Sequence, residues 1–310
     1  MRRRLTFVSA AGVLAVVLPL AAACGGGDVP VKVSGAFGTQ PDVSFPQSKP
    51  GDGLEVSTPI EGKGAEIAKG DLVVADYVGY RWNQSGDKLI ASSYAGGGQP
   101  GAFPSGKLVP GLNKALMGTR VGSRVVAVIP PKDGYGAAGN PQLQVTAGDS
   151  LVFVLDVVAT YPKNAAVKGK ALPQGDARLP QVGAAGPGQA PTVTMPHTSP
   201  PAKPRFRTLV QGTGEPVRPG QLLALQYTGA FWRDGRVFDS SWSTGQVFST
   251  TIGKGQVVKG WDLGLVGQRV GSRVLLVVPP AWGYGSKGLK QAGIKGTDTL
   301  VFVVDIVGAH

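Results

Sequence analysis

The sequence predicts an α+β protein made of two tandem domains of one fold, each an antiparallel sheet wrapped around a short helix. Three observations predict it. Short β-branched segments bounded by Gly, Pro and Asp outnumber helical ones (54–60, 71–80, 124–131 and 149–158 in the first half). Strands and helices do not alternate, so nothing suggests a parallel sheet. The second half also repeats the first at a near-fixed offset. Gly62, Gly64, Gly70, Tyr77 and Gly79 match Gly212, Gly214, Gly220, Tyr227 and Gly229, all 150 residues on. Val109, Gly111, Arg124, Tyr135 and Phe153 match Val258, Gly260, Arg273, Tyr284 and Phe302, all 149 on. Two units at this period are two domains, not a solenoid.

In chain order, Arg2–Arg4 precede an apolar run to Leu20, then Ala21-Ala22-Ala23-Cys24. A basic start, a short apolar stretch and small residues mark a signal peptide over 1–24. The lone cysteine sits where bacterial lipoprotein signals end, although Ala21 stands where such signals usually carry Leu. Acyl chains on Cys24 would anchor the protein to the outer face of the cell membrane; without them it would be secreted. Residues 25–51 show no helical or strand period and are expected to be a flexible tether. Residues 52–160 form the first domain, with one helical candidate at 110–117 carrying Leu112, Ala115 and Leu116 on one face. Residues 161–203 are rich in Pro, Gly and Ala and are expected to be a disordered or polyproline-like linker. Residues 204–310 are the second domain.

Composition narrows the function. The 310 residues carry a net charge of +12, with the first domain near neutral (nine Lys/Arg, ten Asp/Glu) and the second basic (twelve and six). No nucleic-acid motif accompanies that charge, so a surface suited to an anionic membrane is expected rather than a nucleic-acid partner. One cysteine excludes an intrachain disulfide and a cysteine zinc site. The histidines, His197 and His310, lie in a Pro-rich tract and at the last position, which argues against a His-dependent triad or metal centre. Gly96–Gly101 matches G-x-G-x-x-G but follows no βα turn, so a flexible loop is expected there. No cofactor is called for, and a monomer is expected.

The stretch 227–261 strings Tyr227, Phe238, Phe248, Val257, Val258 and Trp261 between polar turns, with one acid, Asp239, directly after an aromatic. An ordinary core strand needs no such set of rings; a concave apolar pocket with one polar handle does. At these residues the second domain resembles the FK506-binding type (FKBP) of peptidyl-prolyl cis-trans isomerase. The resemblance rests on Tyr227-Thr228-Gly229, the run from Gly235 to Ser241, Phe248, the run from Val257 to Trp261, Val270-Gly271, Pro279, Gly283-Tyr284-Gly285 and Leu300-Val301-Phe302. It implies an antiparallel half-barrel around a short helix, proline-containing unfolded polypeptides as substrates and macrolides as inhibitors. It also implies roles. Trp261 floors the pocket, and Tyr227, Phe238, Phe248, Val257, Val258 and Phe302 make its walls. Val258 offers its backbone N–H, Tyr284 donates its hydroxyl near the twisting bond, and Asp239 sits at the edge. The family often has an Arg six residues after the Phe of this motif; here Thr244 stands there, so Asp239 is expected to be held differently.

The chemistry suits those residue types. An X–Pro amide is held by partial double-bond character, with a barrier of roughly 18–20 kcal/mol. The twisted state has less charge separation, so a water-poor apolar site favours it, and each tenfold in rate needs only about 1.4 kcal/mol of that preference. No nucleophile or metal is required. The first domain keeps Tyr77, Val109, Tyr135 and Phe153 but has Ile90-Ala91 for Phe238-Asp239 and Leu112 for Trp261, and the Phe248 position falls near Gln99. It is expected to be at least tenfold slower than the second. The leading expectation is an isomerase that assists folding of exported proteins outside the cytoplasmic membrane. The alternatives are a non-catalytic chaperone or binding module for Pro-containing clients, and an envelope scaffold.

Overall fold

The computed structural model describes residues 29–186 and 188–310. The signal segment, Cys24 and the first residues of the expected tether lie outside them.

The first unit contains β1 (Lys32–Ser34), β2 (Asp42–Ser44), β3 (Glu55–Ile60), β4 (Leu72–Asn83), β5 (Gly86–Ser92), β6 (Gly101–Pro104), α1 (Pro110–Leu116), β7 (Arg124–Ile129) and β8 (Ser150–Tyr161). The second contains β9 (Lys170–Ala171), β10 (Gln181–Val182), β11 (Val193–Thr194), β12 (Arg205–Gln211), β13 (Leu222–Phe231), β14 (Val237–Ser240), a single turn α2 (Ser241–Thr244), β15 (Phe248–Thr251), α3 (Lys259–Leu265), β16 (Arg273–Val278) and β17 (Leu300–Ala309).

Both sheets are antiparallel and share one order, β3-β7-β8-β4-β5 and β12-β16-β17-β13-β14, with β6 and β15 pairing the outer halves of β4 and β13. Even the irregularities repeat: β4 slips register against β8 between Val74 and Ala75, and β13 against β17 between Ala224 and Leu225. Two stretches without a clear strand pattern in the sequence form strands, β5 with β6 and β14 with β15. Polar and glycine residues mask their alternation, and pairing with a long central strand settles them.

Each helix lies across the concave face of its sheet. Leu112, Ala115 and Leu116 are buried as their spacing predicts. A glycine at the second helical position permits the close approach. A Cβ on Gly111 would lie 2.4 Å from the Ile129 side chain, and one on Gly260 would lie 2.6 Å from Val278. Proline opens α1 at no hydrogen-bond cost, since that N–H would be unpaired anyway.

The convex faces correct the sequence reading of both connecting segments. Residues 29–51 are not a structureless tether. β1 and β2 form a hairpin that lays Val31, Val33, Val43 and Phe45 over Val78, Trp82, Val126, Val128, Val152 and Val154. Nor are residues 161–203 a structureless linker. Tyr161 still belongs to β8, β9 extends the second sheet beside β12, and the β10–β11 hairpin lays Val182, Val193 and Met195 over Leu275, Val277, Val301 and Val303. Full cover of one such side chain is worth about 1.5–3 kcal/mol, enough to order segments of poor intrinsic propensity. The hairpins are themselves part of the duplication: Pro41, Val43, Phe45 and Pro46 recur 150 residues on as Pro191, Val193, Met195 and Pro196. The repeated unit is therefore a hairpin plus a half-barrel.

The first hairpin is pinned by a buried ion pair. Arg124 donates from Nε and Nη2 to the Asp156 carboxylate at 2.6 and 2.7 Å. Its remaining donors reach the hairpin turn, at Gly35 O (2.7 Å) and Ala36 O (2.8 Å), while the Gly38 N–H donates to Asp156 at 2.6 Å. Arg273 and Asp305 repeat the pair at 2.6 Å. The two units also dock. Leu72, Ala102 and Tyr161 share an apolar cluster with Ala224, Val247 and Val307. The Tyr161 hydroxyl lies 2.7 Å from His310 Nε2, and Gln226 donates to Lys163 O at 2.8 Å.

Two predictions follow from these contacts. Arg124→Met leaves Asp156 buried without its partner and the turn carbonyls without a donor. It should lower unfolding stability in urea by about 3–5 kcal/mol and expose 29–51 to limited proteolysis. Burial holds the His310 imidazole below its ordinary value of 6.5, so the folded state favours the neutral ring that accepts the Tyr161 proton. Docking stability from this contact is full above pH 6.5 and is lost as pH falls through the lowered pKa. Small-angle scattering should show the molecule lengthening between pH 7.5 and 5, and the effect should vanish in His310→Asn.

Candidate active site

In the second unit, Tyr227 lies on the central strand β13, Phe238 and Asp239 on β14, and Phe248 opens β15. Val258 caps the N-terminus of α3, Trp261 occupies its third position, and Phe302 projects from β17 opposite Gly229. Tyr284 precedes a 3₁₀ turn in the long loop between β16 and β17. All nine residues predicted for the pocket line one cavity of about 470 Å³, joined by Gln256, which the sequence reading missed.

The rings meet edge to face, the arrangement their quadrupoles favour. Trp261, 4% exposed, lies 5.3 Å from Tyr227 at 78° and 5.3 Å from Phe302 at 87°. Phe248 stands 5.4 Å from Tyr227, and Phe238 stands 5.7 Å from Phe302. This box depends on Gly229, where a Cβ would fall 2.8 Å from Phe238 and 3.1 Å from Phe302. The concave shape therefore comes from a strand position without a side chain.

Four polar groups serve the box. The Tyr227 hydroxyl donates to Asp239 Oδ2 at 2.5 Å. Burial, then that hydrogen bond and the carboxylate's charge, push the Tyr227 hydroxyl far up, so it stays a donor. This is how Asp239 is held without an arginine. Thr244 turns away, its hydroxyl bonded to Ser241 O at 2.9 Å within α2. The Tyr284 hydroxyl is also pushed up, by burial and by Asp239, so it too is a donor at neutral pH. It makes no hydrogen bond to another protein group among the described residues, and neither does the Val258 N–H. The arrangement can receive a compact apolar ring against Trp261 while two donors meet carbonyl oxygens at the mouth.

Two supports carried no role in the sequence reading. Ser241 accepts from the Tyr227 N–H at 2.8 Å, fixing β13 against α2, and Ser93 does the same for Tyr77 at 2.8 Å. Asp262 of α3 accepts from the Gly253 and Gly255 N–H groups at 2.7 and 2.9 Å, holding the loop that carries Gln256. The serines were visible as a pair repeated in both copies. Asp262 left no signal, because its partners are backbone groups.

The first unit shows what the same frame does without the defining residues. Register equates Ile90-Ala91 with Phe238-Asp239, since Gly79 pairs Ala91 as Gly229 pairs Asp239. Val109 caps α1, Leu112 takes the Trp261 place, Tyr135 precedes a 3₁₀ turn and Phe153 faces Gly79. The counterpart of Phe248 is Gly101, not Gln99. Gly101 pairs Ala75 as Phe248 pairs Leu225, and the longer loop displaces the position by two residues. Phe103 turns into the space left empty there, 5.1 Å from Tyr77 at 88°, and is buried. Its ring lies where a side chain on Gly101 would stand.

A half-barrel whose helix and sheet enclose a ring-lined cavity with donors at its rim defines a protein that binds an apolar ring beside an amide. The model of the FKBP-type peptidyl-prolyl cis-trans isomerases matches residues 63–158 and 213–307. These matches take up more than half of the chain, which belongs to that family and carries its isomerase domain twice. Among its relatives, the FK506-binding protein of Streptomyces anulatus is 35% identical over 119 residues, covering 38% of this chain and 96% of the relative. The mouse peptidyl-prolyl cis-trans isomerase FKBP9 is 29% identical over 207 residues, 66% of this chain but only 29% of that longer protein. The crystal structure of AtFKBP13 aligns with 36% of this chain and 96% of its own, at 33% identity and a TM-score of 0.33.

Gly229→Ala tests the box. It should cost about 1–3 kcal/mol through overpacking and shift tryptophan fluorescence as the rings around Trp261 part. Gly53→Ala, at a loop position with open space around it, should leave the spectrum unchanged.

Proposed function

We propose that this isomerase works outside the cytoplasmic membrane, tethered by acyl chains on Cys24, and speeds proline-limited folding of exported polypeptides, with its activity mainly in residues 204–310. The observation that carries the assignment between domains is the contrast of the two sites. One is an open cavity floored by Trp261 with Asp239 holding Tyr227; the other lacks both residues and has Phe103 packed on Tyr77. The proline ring of a client lies against Trp261 between Phe238, Phe248 and Phe302. The Val258 N–H and the Tyr284 hydroxyl receive carbonyl oxygens flanking the bond. Rigid apolar walls favour the twisted amide, whose charge separation is smaller, over either planar form. The site makes and breaks no covalent bond and moves no proton. Macrolides would compete for the same walls. Export and anchoring rest on the character of residues 1–24; mass analysis of the mature N-terminus decides them, and an unmodified Cys24 or another cleavage point overturns the anchor.

The altered lining of the first site, with Ile90-Ala91 and Leu112, also favours a second role for that domain, as a client-holding module without turnover. The full-length protein separates the two in a protease-free assay of cis-to-trans exchange. Trp261→Ala should lower kcat/KM at least tenfold, and Asp239→Ala about tenfold, since Tyr227 loses its acceptor. Tyr135→Phe and Leu112→Ala in the first domain should change it less than twofold. Activity that survives Trp261→Ala and falls with the first-domain variants would reverse the assignment.

A further inference from the structure

The docked units enclose a second cavity of about 850 Å³, bounded on one side by the first domain's glycine-rich loop and on the other by Arg218, Lys254, Gln221 and His310. Gln256 borders both this cleft and the ring-lined pocket, so the two are adjacent across its side chain.

The cleft has the chemistry of a polypeptide groove with a charge preference. Its lining includes two cationic side chains, Arg218 and Lys254, and no Asp or Glu. Neither cation makes an ion pair among the described residues. The Lys254 stem is laid over Gly220, where a Cβ would come within 3.3 Å of its Cε, which aims the chain into the cleft. Asp262, an acid of the adjoining helix, is engaged by the Gly253 and Gly255 amides and holds the loop of Lys254 and Gln256 in place. The opposite wall is backbone. Gly96, Gly97 and Gly98 all have positive φ, and a Cβ on any of them would meet nothing within 4 Å. Main-chain N–H and C=O groups there are accessible to an extended strand. His310 adds no positive charge near neutral pH, because burial keeps its ring neutral.

We infer that a client chain seated with its proline in the ring-lined pocket continues past Gln256 into this interdomain cleft, where Arg218 and Lys254 select an acidic residue on one flank of the proline. The first domain then serves the reaction as a wall of the substrate groove. This rests on the second domain being the active one, as proposed above.

The full chain lacking only residues 1–24 tests it with a proline tetrapeptide extended on either side by Gln, with a single Glu or Lys scanned through the extension. At low salt, Glu at one register should bind about five- to tenfold more tightly than Lys by calorimetric titration and raise kcat/KM by a similar factor, with the difference shrinking in 0.5 M NaCl. The Arg218→Glu/Lys254→Glu double variant should invert the preference and leave the unextended tetrapeptide unchanged. Gly98→Asp should weaken the Glu preference from across the cleft, since the left-handed conformation there tolerates Asp and the space is open. A Glu-to-Lys ratio near one at every register, or one that Arg218→Glu/Lys254→Glu does not move, overturns the inference. If the tetrapeptide is not turned over at all, it is the placement of activity that fails, and the binding titrations still decide the cleft. Loss of preference in the double variant with none in Gly98→Asp would overturn the part assigned to the first domain.

Discussion

A sheet with two apolar faces has to be covered twice, and that constraint organises this molecule. Every residue of β7 is buried, and β16 and β17 are nearly so. On the concave side the cover is one short helix, too small to fill the curve of six strands. What it leaves unfilled is the cavity. On the convex side the cover is a hairpin contributed by the segment just before each half-barrel. Exposing that face instead would leave a broad patch of Val, Leu and Trp in water.

The ion pairs explain how a weak hairpin finds its place. Arg124 and Asp156 lie on neighbouring strands, and the guanidinium has more donors than the carboxylate can use. A buried cation with unspent donors is costly. The hairpin turn supplies the carbonyls, so the position of residues 35–39 is set by hydrogen-bond demand as well as by apolar cover. The second unit repeats the pair, and there Arg273 bonds Asp305 alone among the described residues.

At the site itself, one frame supports two outcomes. Both units keep the strand glycine, the helix-start valine, the loop tyrosine and the strand phenylalanine. These shared residues shape the concavity. Whether it stays open is decided elsewhere, by whether a ring stands at the head of the short strand or two residues further in. With Phe248 at the head, the ring forms a wall. With Gly101 at the head and Phe103 beyond it, the ring packs on Tyr77 and joins the core.

Much of this was legible in the sequence. The strand patterning, the duplication and the helix face with Leu112, Ala115 and Leu116 could be read from spacing and from the comparison of the two copies, and the nine residues that line one cavity followed from the resemblance to the isomerase family. The hairpins could not, because their glycines and prolines obey no local period. The unbroken run RVVAVI did say that a second cover must exist, but not which segment supplies it. Register placed Gly101 at the Phe248 position, since a loop of different length leaves no mark on an offset count. Sequence by itself determined the types of residue available to the pocket, because the chemistry of a twisted amide needs rings and few polar groups. Only the tertiary structure decided that Phe248 walls a cavity while Phe103 packs on Tyr77, and that Gln256 stands between the cavity and a basic cleft, because both depend on contacts between residues far apart in the chain.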